Sequence, residues 1–370
     1  MAVSLLRYER KFAVMLVYIN HFRRVMAMTH QNETYTGPKH AATAPEADIV
    51  VGVDGSRESF AALRWALAES VLSRQRVNIV FGWTRSWDLG AEPHDEEDWT
   101  RVRASIIKVL NSWVSTECAD IPVDRASLVF TPVKASGPEA LLEIGHRAQQ
   151  IVVGRRSLGR VARWFLGSTS ASLAEDATVP VTVVRIPADD AEQVEQDIEQ
   201  AFVDDLPRNV LDADVESMQR HEGHQGQQAR KAESIVVGVD GSRLSMKALE
   251  FAAREASLHQ ATLHVLYCWQ LKDMGNIPGY QNAIAPIEVG QQTAEDTLAE
   301  LVANARIPDT VTVRTHAFHI SPAKGLIHAA NHTSWVIVGS RGLSGLDAHF
   351  LGSVSKQMLT MTDCTVTIVR

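Results

Sequence analysis

Two nearly unbroken apolar runs, Ile49–Val53 and Ile235–Val239, each end in Asp-Gly-Ser. A short continuous apolar run that stops at a turn signature predicts a strand buried on both faces, then a tight turn and a helix cap. After the first run, Phe60, Leu63, Leu67 and Val71 follow at three- and four-residue steps, the stripe of an amphipathic helix. Val77–Trp83 and Leu263–Trp269 predict second strands, and Ser127–Val133 and Thr310–Ala317 third strands. Gln150–Gly154 and Trp335–Gly339 predict fourth strands, and Val181–Arg185 and Val366–Arg370 fifth strands. Helices are expected to open near Gly137-Pro138 and Ser321-Pro322, with proline in the first turn, and again at Gly167-Ser168 and Gly352-Ser353.

These are the same elements written twice. Ile49 to Arg57 reappears residue for residue as Ile235 to Arg243, at an offset of 186, which also relates Trp83 to Trp269 and Pro122 to Pro308. At an offset of 185, Gly154, Gly167 and Arg185 become Gly339, Gly352 and Arg370. A chain of 370 residues suits two domains at about 150 residues each. Strands alternating with helices predict a parallel sheet covered on both faces, and right-handed crossovers make it doubly wound. The expected fold is therefore α/β: two tandem doubly wound, Rossmann-like domains, at 48–186 and 234–370, each with a five-stranded parallel sheet. Ligands of such sheets sit beyond the carboxyl ends of the strands, where the winding reverses.

Composition adds little to the domains and more to what flanks them. At 45% apolar and 22% charged the chain is ordinary globular protein. Its net charge of −8 argues against the basic face of a nucleic-acid binder. Between Ile186 and Glu233 there are 13 Asp or Glu and 4 Lys or Arg, so this segment carries −9 and leaves +1 for the rest. With no apolar period, residues 187–233 read as an acidic linker. Residues 1–47 read as a disordered or over-extended N-terminal segment, with Met26 or Met28 as alternative starts. The apolar run Phe12–Ile19 falls far short of the roughly 18 residues that span a bilayer, so no stable membrane association is expected. Cys118, Cys268 and Cys364 form no metal-binding or disulfide framework, which suits a cytoplasmic protein and gives no metal site.

The candidate chemistry lies at the carboxyl ends of the strands. Asp54 and Asp240 end the first strand of each copy. A carboxylate there either accepts hydrogen bonds from ribose hydroxyls, or caps the turn before the next helix. The second element is Gly339-Ser-Arg-Gly342, nine residues, then Gly352-Ser353-Val354-Ser355. Glycine after a strand lets backbone amides approach an anion, and the amides of a helix start attract phosphate. Ser353 and Ser355 offer hydroxyl donors. Together with Asp240 this reads as a mononucleotide site. Trp83 and Trp269 either line an adenine pocket or pack in the core. No Walker lysine, GxGxxG, HExxH or GxSxG is present, and no catalytic residue is indicated.

These residues resemble the universal stress protein family, in its tandem two-domain form. The resemblance rests on Ile-Val-Val-Gly-Val-Asp-Gly-Ser in each copy and on the pattern G-x2-G-x9-G-[ST], matched by Gly339, Gly342, Gly352 and Ser353. It implies bacterial origin, ATP as ligand, with Mg2+, and a non-catalytic role in stress response or growth arrest. A slow ATPase, an interaction module without nucleotide, and a preference for cyclic AMP remain alternatives. It also implies pairing through fifth strands, either between the halves as a pseudo-dimer or in a homodimer. The first copy departs from the motif: it reads Gly154-Arg-Arg-Ser157, nine residues, then Gly167-Ser168-Thr169-Ser170. If the second glycine needs positive φ, Ser157 carries about 1 kcal/mol of strain, which Arg155 and Arg156 would offset by charge. The second copy is therefore expected to be the stronger site.

Overall fold

The computed structural model describes residues 48–84, 96–155, 168–186, 234–270, 286–343 and 351–370. The N-terminal segment, the acidic linker, Arg156, Ser157 and Gly167 lie outside the described residues.

The first half runs β1 (Ile49–Gly52), α1 (Arg57–Ser73), β2 (Val77–Gly82), α2 (Glu96–Glu117), β3 (Leu128–Val133), α3 (Gly137–Gly145), β4 (Gln150–Gly154), α4 (Ser168–Asp176) and β5 (Val181–Val184). The second repeats it as β6 (Ser234–Val239), α5 (Arg243–His259), β7 (Thr262–Cys268), α6 (Ile287–Ala303), β8 (Val313–Phe318), α7 (Pro322–Ala330), β9 (Trp335–Gly339), α8 (Ser353–Met361) and β10 (Thr365–Val369). All ten expected strands are present. The strand order is β3-β2-β1-β4-β5-β10-β9-β6-β7-β8 in a single sheet. Every neighbouring pair is parallel except β5 and β10, which run antiparallel with Thr182 opposite Thr367. The two halves thus pair through their fifth strands within one chain.

The same residue types open both first helices. Asp-Gly-Ser turns at Gly55 (φ 82°) and Gly241 (φ 79°), a left-handed backbone that favours glycine. Ser56 and Ser242 then cap α1 and α5, each accepting a hydrogen bond from the amide three residues on, at 3.2 Å. The stripe of α1 buries Phe60, Leu63 and Leu67 against the sheet. Val71 is 40% exposed: the stripe centres on Leu63, Ala66 and Ser70, so Val71 falls on its rim.

Helices α1, α2, α5 and α6 cover one face of the sheet, and α3, α4, α7 and α8 the other. The core under the second group is continuous across the seam: Val181 and Val183 join Val366 and Ile368 there. On the opposite face Trp65 of α1 packs edge-on against Trp335 of β9, with ring centroids 5.1 Å apart. Beneath them a buried chain of hydrogen bonds crosses the seam. The Trp335 indole donates to Thr367 Oγ1 at 2.8 Å, Thr367 and Thr182 share a hydroxyl hydrogen bond at 2.8 Å, and Thr182 donates to Gln150 Oε1 at 2.7 Å. Each hydroxyl has one hydrogen to give, so the chain runs in one direction, from Trp335 to Gln150.

Where β7 and β8 pair, His264 Nδ1 and His316 Nε2 are 3.1 Å apart. Burial first, then the neighbouring His316 and Arg314, push the His264 ring down to about 4. It is therefore neutral in the fold, whereas the unfolded chain binds a proton below about pH 6.5. Stability is fully present above that pH and is lost as pH falls toward 4. Denaturant melts at pH 7 and pH 4.5 are expected to differ by on the order of 1–2 kcal/mol more in the wild type than in His264→Gln. An equal pH response of the two proteins would disprove this assignment.

Candidate nucleotide site at the switch point

In each half the winding reverses between the first and fourth strands, β1 and β4 or β6 and β9. Asp240 follows β6 and the Gly339 turn follows β9, so adjacent strands bring the two sequence elements to one crevice.

Asp240 ties that crevice together. Its Oδ1 accepts from Ser242 N at 3.0 Å, and its Oδ2 accepts from Leu343 N at 3.1 Å. One carboxylate thereby holds both the cap of α5 and the loop after β9. It is a cap, as one sequence alternative had it, and it also reaches the loop after β9. Gly342 is shaped by the same group. A side-chain carbon there would stand 2.3 Å from Asp240 Oδ2, well inside contact distance. Its φ is not in the left-handed region, which among the described glycines is confined to Gly55 and Gly241. The expected reason for glycine at this position is thus corrected: it leaves the Asp240 carboxylate in place, whereas backbone twist plays no part. Gly339 has a different wall, since a side-chain carbon there would meet the Leu244 and Ser245 backbone at 2.8–3.0 Å.

Gly352 sits at the N-cap of α8 with φ −63° and ψ 154° and no side chain to cap the helix. Its own amide donates to Ser340 O at 2.8 Å. Ser353 is exposed at the first helical position, and Val354 is half-buried against the core. The amides of these residues open the helix, where its dipole favours an anion. Ser355 does not serve as expected. Its hydroxyl is buried and points to Gly339 O at 2.7 Å and Ser340 O at 3.2 Å, so its single hydrogen is committed to joining α8 to β9.

In the first half Asp54 is exposed and accepts from Ser56 N at 3.0 Å and Ser56 Oγ at 2.5 Å. Gly154 ends β4, where a side-chain carbon would stand 2.0 Å from Glu58 O. Ser168 and Thr169 open α4, and Ser170 is buried. Arg155 is not available to a phosphate. It is 5% exposed and donates to Thr360 O of the other half at 2.8 Å. The sequence placed it beside the motif without showing that its side chain crosses the seam. Arg185 joins it at the Thr360 carbonyl at 3.3 Å and pairs with Asp363, and its repeat counterpart Arg370 reaches Ala174 O on α4.

Trp83 and Trp269 are core residues, 4% and 2% exposed. The Trp269 indole donates to Gln291 Oε1 at 3.0 Å, and its ring lies against His319 with centroids 4.4 Å apart. Burial raises the three thiols to about 11 at Cys118 and about 12 at Cys268 and Cys364, so none is a ready nucleophile.

Sequence reasoning missed one constellation. Glu69 of α1 meets Glu255 and His259 of α5, all buried, with one donor atom of each within 4.8 Å of the others. His259 Nε2 and Glu69 Oε2 are 2.8 Å apart. Burial, then the neighbouring Glu69, raises Glu255 to about 7. Two signals were available: the glutamates are repeat counterparts at the offset of 186, and Glu255 and His259 share a helix face at i, i+4.

Comparison with known proteins agrees with this architecture. The profile of the universal stress protein family matches residues 47–185 and 231–370. A universal stress protein of Mycolicibacterium smegmatis is 30% identical over 89% of this chain and 98% of its own length. One from Mycobacterium tuberculosis is 29% identical over 87% of this chain and 96% of its own. The crystal structure of a universal stress protein from Archaeoglobus fulgidus superposes with a TM-score of 0.53 at 16% identity, covering 87% of this chain and 98% of that one. Among the described residues no helix is long and apolar enough to cross a membrane. With the family profile met once in each half and bacterial relatives aligned along nearly their full length, this chain belongs to the universal stress protein family, as a tandem of two Usp domains.

Proposed function

We propose that this chain binds ATP at the switch point of its second half and acts as a non-catalytic, nucleotide-dependent regulator in stress response. The observation that carries the proposal is the Asp240 carboxylate, bonded at once to the turn after β6 and to the loop after β9, beside a glycine whose side chain would displace it. A ligand in that crevice meets a carboxylate on one side and the opening amides of α8 on the other. Ribose hydroxyls suit Asp240, and phosphates suit the Ser353 and Val354 amides and the Ser353 hydroxyl. Mg2+ would accompany the phosphates, as a hard cation with oxygen ligands. The sequence carries no Walker motif and so no Walker lysine, which favours binding over turnover.

The test is direct. Denaturing the purified full chain and chromatographing the supernatant is expected to release ATP or ADP at about one per chain, with Asp240→Ala releasing far less and Asp54→Ala little changed. Absence of nucleotide in the wild type, with none taken up on incubation, would overturn the proposal in favour of an interaction module. Equal loss in both variants would overturn the preference for the second half.

A further inference from the structure

Glu69, Glu255 and His259 lie far from the switch points, on the helices α1 and α5 that flank the seam, and nothing in the nucleotide proposal uses them. Glu69 is 3% exposed, Glu255 0% and His259 5%. Carboxylates so deeply buried are strongly destabilised unless something opposes their charge. The pairing here is incomplete. Glu69 Oε2 faces His259 Nε2, and Glu255 Oε1 faces Arg254 at 3.0 Å. Each carboxyl group keeps one more oxygen, Glu69 Oε1 and Glu255 Oε2, which is buried and without a hydrogen-bond partner. Arg254 is 55% exposed, so its charge is shared with solvent. Two crowded carboxylates beside one imidazole and the Trp335 ring thus keep two unpartnered oxygens between them, with too little positive charge to oppose them.

We propose that Glu69, Glu255 and His259 form a structural binding site for a divalent cation of the zinc class, which ties the two halves together. The donor set is the mixed nitrogen and carboxylate type that suits zinc, and a spare carboxylate oxygen completes four-coordination. A dication bound by neutral His259 and two glutamates leaves the pocket uncharged. The ion takes the place of the proton between His259 and Glu69. That pair, at 2.8 Å, opens to about 3.3 Å, the edge of a tetrahedron with bonds near 2.05 Å. Glu69 and Glu255 are repeat counterparts, so the ion sits where the two halves face each other and receives one glutamate from each. The third donor comes from one half only, because Ser73 stands where the repeat would place a second histidine.

Cobalt is the probe, since its visible spectrum reports coordination. Full-length protein freed of metal by a chelator is expected to bind one Co2+ per chain, with the intense visible bands of four-coordinate geometry. Stoichiometric Zn2+ should abolish those bands, and saturating Zn2+ should raise the melting temperature by several degrees. Glu255→Gln removes one of two like charges and is expected to keep or raise the metal-free melting temperature. It should nevertheless weaken Co2+ binding at least tenfold, as should His259→Gln. Failure of the wild type to take up Co2+ or Zn2+ would overturn the proposal. So would four-coordinate bands that persist unchanged in both variants, because those would come from histidines elsewhere. If a variant does not fold, the wild-type stoichiometry, bands and melting shift decide alone. Released nucleotide is measured separately, so loss of one site does not stand for loss of the other.

Discussion

Trp335→Ala is expected to destabilise the chain by about 3–5 kcal/mol and to separate its unfolding into two transitions. Trp335 is the largest fully buried side chain in the protein as described. Its truncation leaves a cavity against Trp65 of α1 and His259 of α5, and these contacts lie between the halves as well as within one. It also removes the first donor of the buried chain through Thr367 and Thr182. The two halves then remain joined by the antiparallel β5–β10 ladder, by the core shared on the opposite face and by arginines at the ends of the ladder. Trp335→Phe keeps most of the ring and loses the N–H, with an expected loss nearer 1–3 kcal/mol. Calorimetry of the full chain checks both. A single transition in Trp335→Ala, shifted by under 1 kcal/mol, would show that the indole does not couple the halves.

Gly342→Val should leave folding nearly unchanged and weaken ATP binding by about 1.5–3 kcal/mol, or roughly 10- to 150-fold. Gly342 is exposed, and the atom its side chain would strike is the far end of Asp240, which can rotate away. That rotation breaks the bond to Leu343 N and displaces the carboxylate proposed to receive the ribose. Gly339→Ala is the informative contrast. Its wall is backbone of α5, so stability itself should fall, by about 1–3 kcal/mol. Titration calorimetry paired with thermal melts separates the two effects. Unchanged affinity in Gly342→Val would remove the Asp240 bridge from any role in nucleotide binding.

The sheet was legible in the sequence because strands buried on both faces are written as unbroken Val and Ile runs, and because each run appears twice. The switch-point crevice was legible because Asp240 and the Gly339 turn each follow a strand directly. What the sequence hid depends on side-chain direction and on contacts between the copies. Arg155 sits in the motif, yet its guanidinium leaves by the opposite route to the Thr360 carbonyl. Ser355 has the right spacing, yet its hydroxyl has nearer acceptors in Gly339 and Ser340. Glu69 and His259 are 190 positions apart and meet only because the fifth strands pair. The family residues report what each copy does alone, whereas residues at the seam follow from the fact that there are two.

The buried chain across the seam bears on which halves can pair at all. Thr182 and Thr367 are repeat counterparts, but the residues beyond them, Gln150 and Trp335, are counterparts of quite different chemistry. A symmetric association of two first halves would set a glutamine amide at both ends of the hydroxyl pair, one accepting through Oε1 and the other turned to donate through Nε2, with no indole in the chain. Two second halves would set an indole donor at both ends, so the outermost hydroxyl hydrogen would lack an acceptor, and two large rings would compete for one helix surface. The mixed pair runs in a single direction, from the indole to the amide carbonyl, with both hydroxyl hydrogens accepted. Duplication within one gene permits this, because each copy can change without its mirror image changing too. The seam therefore favours joining a first half to a second half over joining two second halves, whichever chain supplies them.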